Sequence, residues 1–301
     1  MPAKDVQNRF ASSLALAGFV AVAVAQVTNM ILARANAGVI PPFSLAFFRW
    51  LIVAAGLAPF VWSELSAKAH LLLSRGWLVV LAGFFGMFLC GGPIYIAGVS
   101  TTAINIALIY ALSPIVVLVI SWLTGLEAIG RFQLIGIALA LAGALAIILR
   151  GSPASLMSAD TLWGDLLVVV AMLAWSGYTL LQSRAAPAVS FLGRVCVFAA
   201  VGSVFSLPFA VYEAMGAPAT VFSMHALWVY LFAGFVPGLI AYAGFAWLGG
   251  RFGSVRTSLV LYIGPVASAL LSWAWLGEGP SAIQILGGAL ILSGVWFSLR
   301  K

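Results

Sequence analysis

Long apolar runs joined by short polar stretches dominate the chain. A bilayer-spanning helix needs about 20 mostly apolar residues. By that ruler the runs form ten segments, at 12–33, 42–62, 77–97, 102–122, 130–149, 163–183, 189–211, 227–248, 254–275 and 281–299. They are too long for barrel strands and lack polar alternation, so helices are expected. The longest polar joint runs from Arg150 to Thr161 at the midpoint, which divides the chain into residues 1–149, a linker at 150–162, and residues 163–301. The first run is long for a signal-peptide core and no convincing cleavage site follows it, so it is expected to be a retained helix.

The two halves repeat one pattern. Ser121-Trp122, Glu127, Gln133, Gly136 and Gly143 return 151 positions later as Ser272-Trp273, Glu278, Gln284, Gly287 and Gly294. Upstream, Trp77 maps onto Trp228, Ala82-Gly83-Phe84 onto Ala233-Gly234-Phe235, Gly98 onto Gly249 and Pro114 onto Pro265. Small apolar residues would match by chance in so biased a chain, so Trp, Pro, Glu and Gln carry the repeat. The beginnings of the halves correspond less tightly, Pro42–Arg49 with Pro187–Arg194 and Pro59–Glu64 with Pro208–Glu213.

Composition settles the solvent. Hydrophobic residues make up 64% of the 301 and charged residues 7%, with a mean hydropathy of +1.16. An ordinary soluble domain carries roughly 25% charged residues, so this chain is expected to be a polytopic membrane protein. The net charge of +7 does not indicate nucleic acid, because the basic residues are scattered through short joints rather than gathered into a patch. They sort by side. With a cytoplasmic N-terminus, that side holds Lys4, Arg9, Lys68, Arg75, Arg131, Arg184, Arg251, Arg256, Arg300 and Lys301, against Arg34 and Arg150 opposite. Both termini are then cytoplasmic. Five segments per half is an odd number, so the second half must be inverted relative to the first. Loop charges swap accordingly: Val99–Thr102 has no basic residue while its counterpart has Arg251 and Arg256, and Lys68 and Arg75 have no counterparts in the joint after segment seven.

A pair of inverted five-helix halves resembles the drug/metabolite transporter (DMT) superfamily, specifically its EamA-type members. The Pro42–Trp50 start of segment two is similar to that family's early motif. So is each half's ending, Pro114 to Glu127 and Pro265 to Glu278, followed by a Gly-rich last helix. The resemblance covers residues 12–299 and is greatest to YddG-type exporters of aromatic amino acids. It implies an all-α membrane fold of ten helices around a central cavity lined by segments 1–4 and 6–9, with segments 5 and 10 outside. It also implies export of amino acids, aromatic or hydrophobic ones foremost, or of similar small metabolites across the inner membrane.

Irregular backbone at membrane depth is tolerated only where protein or water surrounds it. Gly91-Gly92-Pro93 in segment three mates by symmetry with Pro237-Gly238 in segment eight, and Pro114 in segment four with Pro265 in segment nine. Paired interruptions point to a transporter's site and hinges. Gln26 and Asn29 are three apart and share a helical face, suited either to a helix–helix hydrogen bond or to substrate. Asn105 and Gln182 read as interfacial. Tyr95, Tyr110, Trp175, Tyr178, Tyr242 and Tyr262 lie near mid-membrane, where a Tyr hydroxyl needs an inward partner; they are candidates to line the site or to pack. Arg49 and Arg194 form another pair, shallow enough to snorkel or placed to attract an anion.

No Asp, Glu or His occupies the middle of a segment; Glu64, Asp165, Glu213 and His225 fall near ends. Proton-driven carriers usually carry a titratable group at depth, so uncoupled or weakly coupled alternating access is expected. Enzyme motifs such as HExxH, GxSxG and Walker A are absent. Cys90 and Cys196 have no ligand spacing and read as packing residues, so neither metal nor cofactor is expected. The expected partners are a small-molecule substrate and the lipid bilayer, with the chain a monomer or weak homodimer. The alternatives are a carrier of another metabolite or drug, and a non-transporting accessory membrane protein.

Overall fold

Where the hydrophobic runs were counted as segments, a computed structural model has helices. It describes residues 3–125, 129–149, 159–252 and 260–298, with side chains described from residue 17 onward except at 159–161, 183, 249–250, 252 and 261–262. The principal helices are α1 (Ala3–Ala35), α2 (Pro42–Ala67), α3 (Gly76–Ala97), α4 (Ala103–Leu123) and α5 (Arg131–Ile148). They continue as α6 (Ala159–Ala185), α7 (Phe191–Gly216), α8 (Met224–Leu248), α9 (Val260–Leu276) and α10 (Ala282–Ser298). Eight stretches among the described residues, within α1–α8, are long and apolar enough to cross a membrane; α9 and α10 are shorter apolar helices. Large apolar side chains, among them Phe60, Val204 and Leu270, are exposed on the outer surface, a perimeter suited to hydrocarbon. Trp62, Trp77, Trp163 and Trp228 are exposed near helix ends, where amphipathic rings favour the headgroup region.

Two helix pairs, each joining one half to the other, hold the bundle together. In the first, α2 and α7 run antiparallel and each ends in a glutamate that caps the other. The Glu64 carboxylate accepts from Ser190 N (2.7 Å) and Ser190 Oγ (2.5 Å). Glu213 accepts from Phe43 N (3.0 Å), Ser44 N (2.7 Å) and Ser44 Oγ (2.8 Å). Backbone N–H groups in a helix's first turn have no partner within the helix, and an anion there also meets the positive end of the helix dipole. Glu213→Ala is expected to remove about 2 kcal/mol of stability, measurable as a lower thermal midpoint in detergent, with Glu213→Gln losing less.

The second pair, α5 and α10, is also antiparallel and packs backbone to backbone. A Cβ placed on Gly136 would fall 2.4 Å from the Gly294 carbonyl oxygen, and one on Gly143 would fall 2.5 Å from that of Gly287. The repeated glycines therefore sit at the closest approach of the two helices. Repeat-matched residues elsewhere also share environments: Ser121 and Ser272 are buried, Trp122 and Trp273 exposed.

One expectation is corrected, the interfacial reading of Asn105. Asp165 lies near the start of α6, as expected, and is completely buried. Its carboxylate accepts from the Thr101 hydroxyl and from Asn105 Nδ2 (3.4 Å). Gln284 Nε2 donates to Asn105 Oδ1 (2.7 Å) and Thr102 Oγ1 (3.1 Å). Asn105 is thus an internal link between α4, α6 and α10 rather than an interfacial residue, because a buried carboxylate needs neighbouring donors. On the same side, Arg34 Nε meets Glu278 Oε1 at 2.7 Å, and its Nη1 donates to the Gly98 carbonyl at 3.0 Å.

Candidate functional site

The cavity at the centre of the bundle owes its shape to irregular backbone. In α3, a π-helical stretch at Phe84–Leu89 leads into Cys90 and Gly91, after which the helix restarts at Gly92 with Pro93 in its first turn. A Cβ on Gly91 would lie 2.5 Å from the Met87 carbonyl oxygen and 3.2 Å from Trp50 Nε1, so only glycine fits there. In α4 the helix breaks at Ala111-Leu112, just before Ser113-Pro114, where proline has no N–H to continue the ladder.

The other two mates behave differently. Pro237-Gly238 does not interrupt α8; it lies inside a second π-helical stretch, Phe235–Ile240. A wider turn absorbs the missing proline donor without breaking the helix. Pro265 likewise sits inside the continuous helix α9. The expected breaks at Pro237 and Pro265 are therefore corrected to a widened turn and an internal proline.

The cavity has a volume of about 120 Å³ and draws its walls from α1, α2, α3, α4, α6, α8 and α9. Gln26, Asn29, Tyr110, Trp175 and Tyr242 line it, as do Pro237, Gly264 and Pro265. None of its lining residues comes from α7, which was expected on the wall but packs against α2 instead. Tyr95 stands directly behind the wall: its hydroxyl donates to Asn29 Oδ1 at 2.7 Å. Tyr178 does not reach the cavity. It is buried beneath Trp175, ring centroids 5.1 Å apart, and meets Phe198 edge-on. Residues three apart on a helix differ by about 60° in direction, so a narrow opening admits one ring and the other packs beneath it. The Tyr262 side chain lies outside the described residues. Gly91, Gly92, Pro93 and Pro114 border the breaks, and Gly238 lies in the widened turn, without lining the space; a Cβ on Gly92 would strike the Phe43 ring and one on Gly238 would strike Val53.

Among the described residues, Arg49 is the charged one on the wall. It does not snorkel, being 5% exposed. Its guanidinium carbon lies 4.3 Å from the centre of the Trp50 ring. Nη1 donates to the Tyr95 hydroxyl at 3.3 Å and Nη2 to the Pro237 carbonyl at 3.4 Å, while Nε has no partner. The π-helical turn makes the second contact possible. The N–H of Ala241 reaches back to Val236 and Gly238 and passes over Pro237. Both bonds are long, and the two ion pairs among the described residues, Arg34–Glu278 and Lys68–Glu64, leave Arg49 out. A buried cation without a carboxylate is costly, and the geometry leaves donors for an anion. Arg194, its counterpart by sequence, is half-buried and off the wall.

Two further wall residues were not among the expected site residues. Cys90, read as packing, lines the cavity, with its thiol 3.0 Å from the Tyr110 hydroxyl. Trp50 follows Arg49 in the chain and provides the aromatic floor beneath the guanidinium. The cavity thus combines one cation, two amides and a thiol–phenol pair with an otherwise apolar and aromatic surface.

Comparison with known proteins gives this architecture a lineage. A family model, that of the EamA-like transporter family, matches residues 13–149 and again residues 162–300. An uncharacterized transporter of Archaeoglobus fulgidus is 26% identical over 262 residues, 86% of this chain and 88% of its own. The uncharacterized transporter YetK of Bacillus subtilis is 24% identical over 266 residues, 87% of this chain and 79% of its own. A probable terminal-alkyne amino-acid exporter of Streptantibioticus cattleyicolor is 24% identical over 224 residues, 74% of this chain and 73% of its own. A solved crystal structure superposes on 95% of this chain and 97% of its own with a TM-score of 0.62 at 24% identity, a likeness of fold. With both halves matched and multiple apolar helices in place, the chain belongs to the EamA-like transporter family and is a multi-pass membrane transporter, not an enzyme.

Proposed function

We propose that the chain exports small carboxylates with an apolar or aromatic body, amino acids among them, across the inner membrane by alternating access. The observation that carries this reading is Arg49, a cation buried on the cavity wall with two long hydrogen bonds and no acidic partner. A planar guanidinium matches a carboxylate with two parallel hydrogen bonds. On the same wall, Trp175, Tyr242, Tyr110 and Trp50 suit an apolar or aromatic body. Gln26 and Asn29 supply further polar contacts. The relative named as an amino-acid exporter agrees with this class, and the aromatic wall supports the likeness to YddG-type exporters. A carrier of another metabolite or drug is the second reading; the accessory-protein alternative does not fit a transporter family.

The reading includes ten membrane-spanning helices in two inverted repeats, residues 1–149 and 163–301, with both termini cytoplasmic. The antiparallel pairing of α2 with α7 and of α5 with α10 supports it, since an inverted repeat sets equivalent helices head to tail. The π-helical stretches at Phe84–Leu89 and Phe235–Ile240, with the break before Pro114 and the proline at 265, would supply hinges on alternate sides. No acid lines the wall among the described residues, which supports uncoupled or weakly coupled movement.

The test is flux in proteoliposomes of purified protein, across the twenty amino acids, their deaminated analogues and several nucleosides. Carboxylates with apolar or aromatic bodies are expected to move, with no strict requirement for an imposed pH or Na⁺ gradient. Transport confined to nucleosides would overturn the substrate class, and strict dependence on either gradient would overturn the uncoupled mechanism.

A further inference from the structure

We propose that, among these carboxylates, the preferred species is a monoanion, an apolar carboxylate without a free ammonium, and that the membrane potential drives its export. The inference rests on the placement of a carboxylate at Arg49 argued above and concerns the remaining charge.

The chain has seven acidic residues, and those whose side chains are described are all engaged away from the cavity. Glu64 and Glu213 cap α7 and α2, Glu278 pairs with Arg34, and Asp165 accepts from Thr101 and Asn105. Asp5, Glu127 and Asp160 fall in the N-terminal stretch, the α4–α5 joint and the first residues of α6, outside the described side chains. Among the described residues the wall therefore carries a charge of +1, from Arg49, with no acid to offset it.

A monoanion cancels that charge. A zwitterion does not: its carboxylate neutralises Arg49, but its ammonium comes with it, about two bonds away, and must find partners on the same wall. Asn29 Oδ1 already accepts from Tyr95, and the acceptors left among the described wall residues, its second lone pair, the Gln26 amide oxygen, the Tyr110 and Tyr242 hydroxyls and the aromatic faces, are all neutral. Aromatic faces attract a cation weakly compared with a carboxylate, and the guanidinium at the other end of the ligand repels it. The same ring and carboxylate without the amine escape both penalties, so the site should prefer the deaminated compound.

Charge then decides energetics. Exporting a zwitterion moves no net charge, whereas exporting a monoanion moves one negative charge out of a negative interior. One elementary charge crossing 100 mV is worth about 2.3 kcal/mol, a concentration ratio of roughly fifty. A carrier with no proton- or Na⁺-binding acid on its wall would still build an outward gradient of that size from the potential alone.

The experiment compares phenylalanine with phenylpyruvate, which shares its ring and carboxylate but has a carbonyl where phenylalanine has its ammonium. Efflux from proteoliposomes is followed with a potassium–valinomycin potential set at zero or negative inside, and protein-free liposomes give the leak. The expected result is at least tenfold faster flux of phenylpyruvate at equal concentration, accelerated by the negative interior, with phenylalanine flux indifferent to it. Equal or faster flux of phenylalanine, or phenylpyruvate flux that ignores the potential, would overturn the inference. If Arg49→Gln slows both compounds in that case, the carboxylate site survives without it. Flux of both that is unchanged in Arg49→Gln would remove the carboxylate site and this inference together.

Discussion

Arg49→Gln is expected to lower carboxylate transport about a hundredfold while leaving the protein at least as stable as the parent. The two halves of that result come from one feature. Truncating one member of a buried, hydrogen-bonded charge pair costs 2–5 kcal/mol. About 3 kcal/mol of lost substrate binding is a factor of roughly one hundred. In the structure, however, the guanidinium makes two hydrogen bonds, at 3.3 and 3.4 Å, beside its contact with the Trp50 ring, and pairs with no acid among the described residues. Burying an ion costs several kcal/mol, and those bonds offset little of it. A neutral amide of shorter reach removes the cost, and its own donors and acceptor remain near Tyr95 and Pro237. A purely structural role predicts the opposite, a lowered thermal midpoint together with lowered flux. Arg49→Lys keeps the charge but loses the planar fork, so its transport should fall between the two. Thermal unfolding in detergent and flux in liposomes, measured on the same preparations, separate these outcomes.

How far the sequence reached can be traced in the same residues. The apolar runs were legible because lipid imposes one dominant constraint, that about 20 consecutive residues satisfy their own backbone and face hydrocarbon. The wall positions of Gln26, Asn29, Tyr110, Trp175 and Tyr242 were legible because polar or amphipathic groups at depth have to turn inward. Depth alone did not say which face a residue takes. Arg49 stood seven residues beyond Pro42, equally consistent with snorkelling or burial. What decides it is the π-helical turn of a helix in the other half, which offers the Pro237 carbonyl, together with Tyr95 on α3. Both are tertiary facts. Whether Tyr178 lines or packs is decided in the same way, since Trp175 one turn earlier takes the available space. Proline marked where the backbone departs from α-helix but not how, because a break and a π-turn both solve the problem of its missing N–H. The position of Asp165 near a segment end was legible, but its partners were not, because Thr101 and Asn105 come from the α3–α4 turn and from α4, some sixty residues earlier.

Gly143→Val is expected to destabilise the protein by about 3 kcal/mol or more and to leave substrate preference unchanged in whatever protein still folds. Without a hydrophobic force between helices in lipid, close packing of small residues supplies much of their association. At Gly143 an added Cβ would lie 2.5 Å from the Gly287 carbonyl oxygen and 2.9 Å from the Leu290 Cβ. Neither atom can rotate away, since one is backbone and the other is fixed to it, so α5 and α10 must move apart. Overpacking typically costs 1–3 kcal/mol, and a clash against backbone belongs at or above the upper end. Separation would also pull Gly136 from Gly294, whose contacts are equally close. Gly177→Ala provides the control: nothing lies within 4 Å of a Cβ built there, and the gain in helix propensity should stabilise α6 by up to about 1 kcal/mol. Neither α5 nor α10 contributes a residue to the cavity wall, so the ratio of fluxes for two substrates should match the parent even as the thermal midpoint falls. A changed ratio would mean that the α5–α10 pair shapes the cavity as well as supporting it.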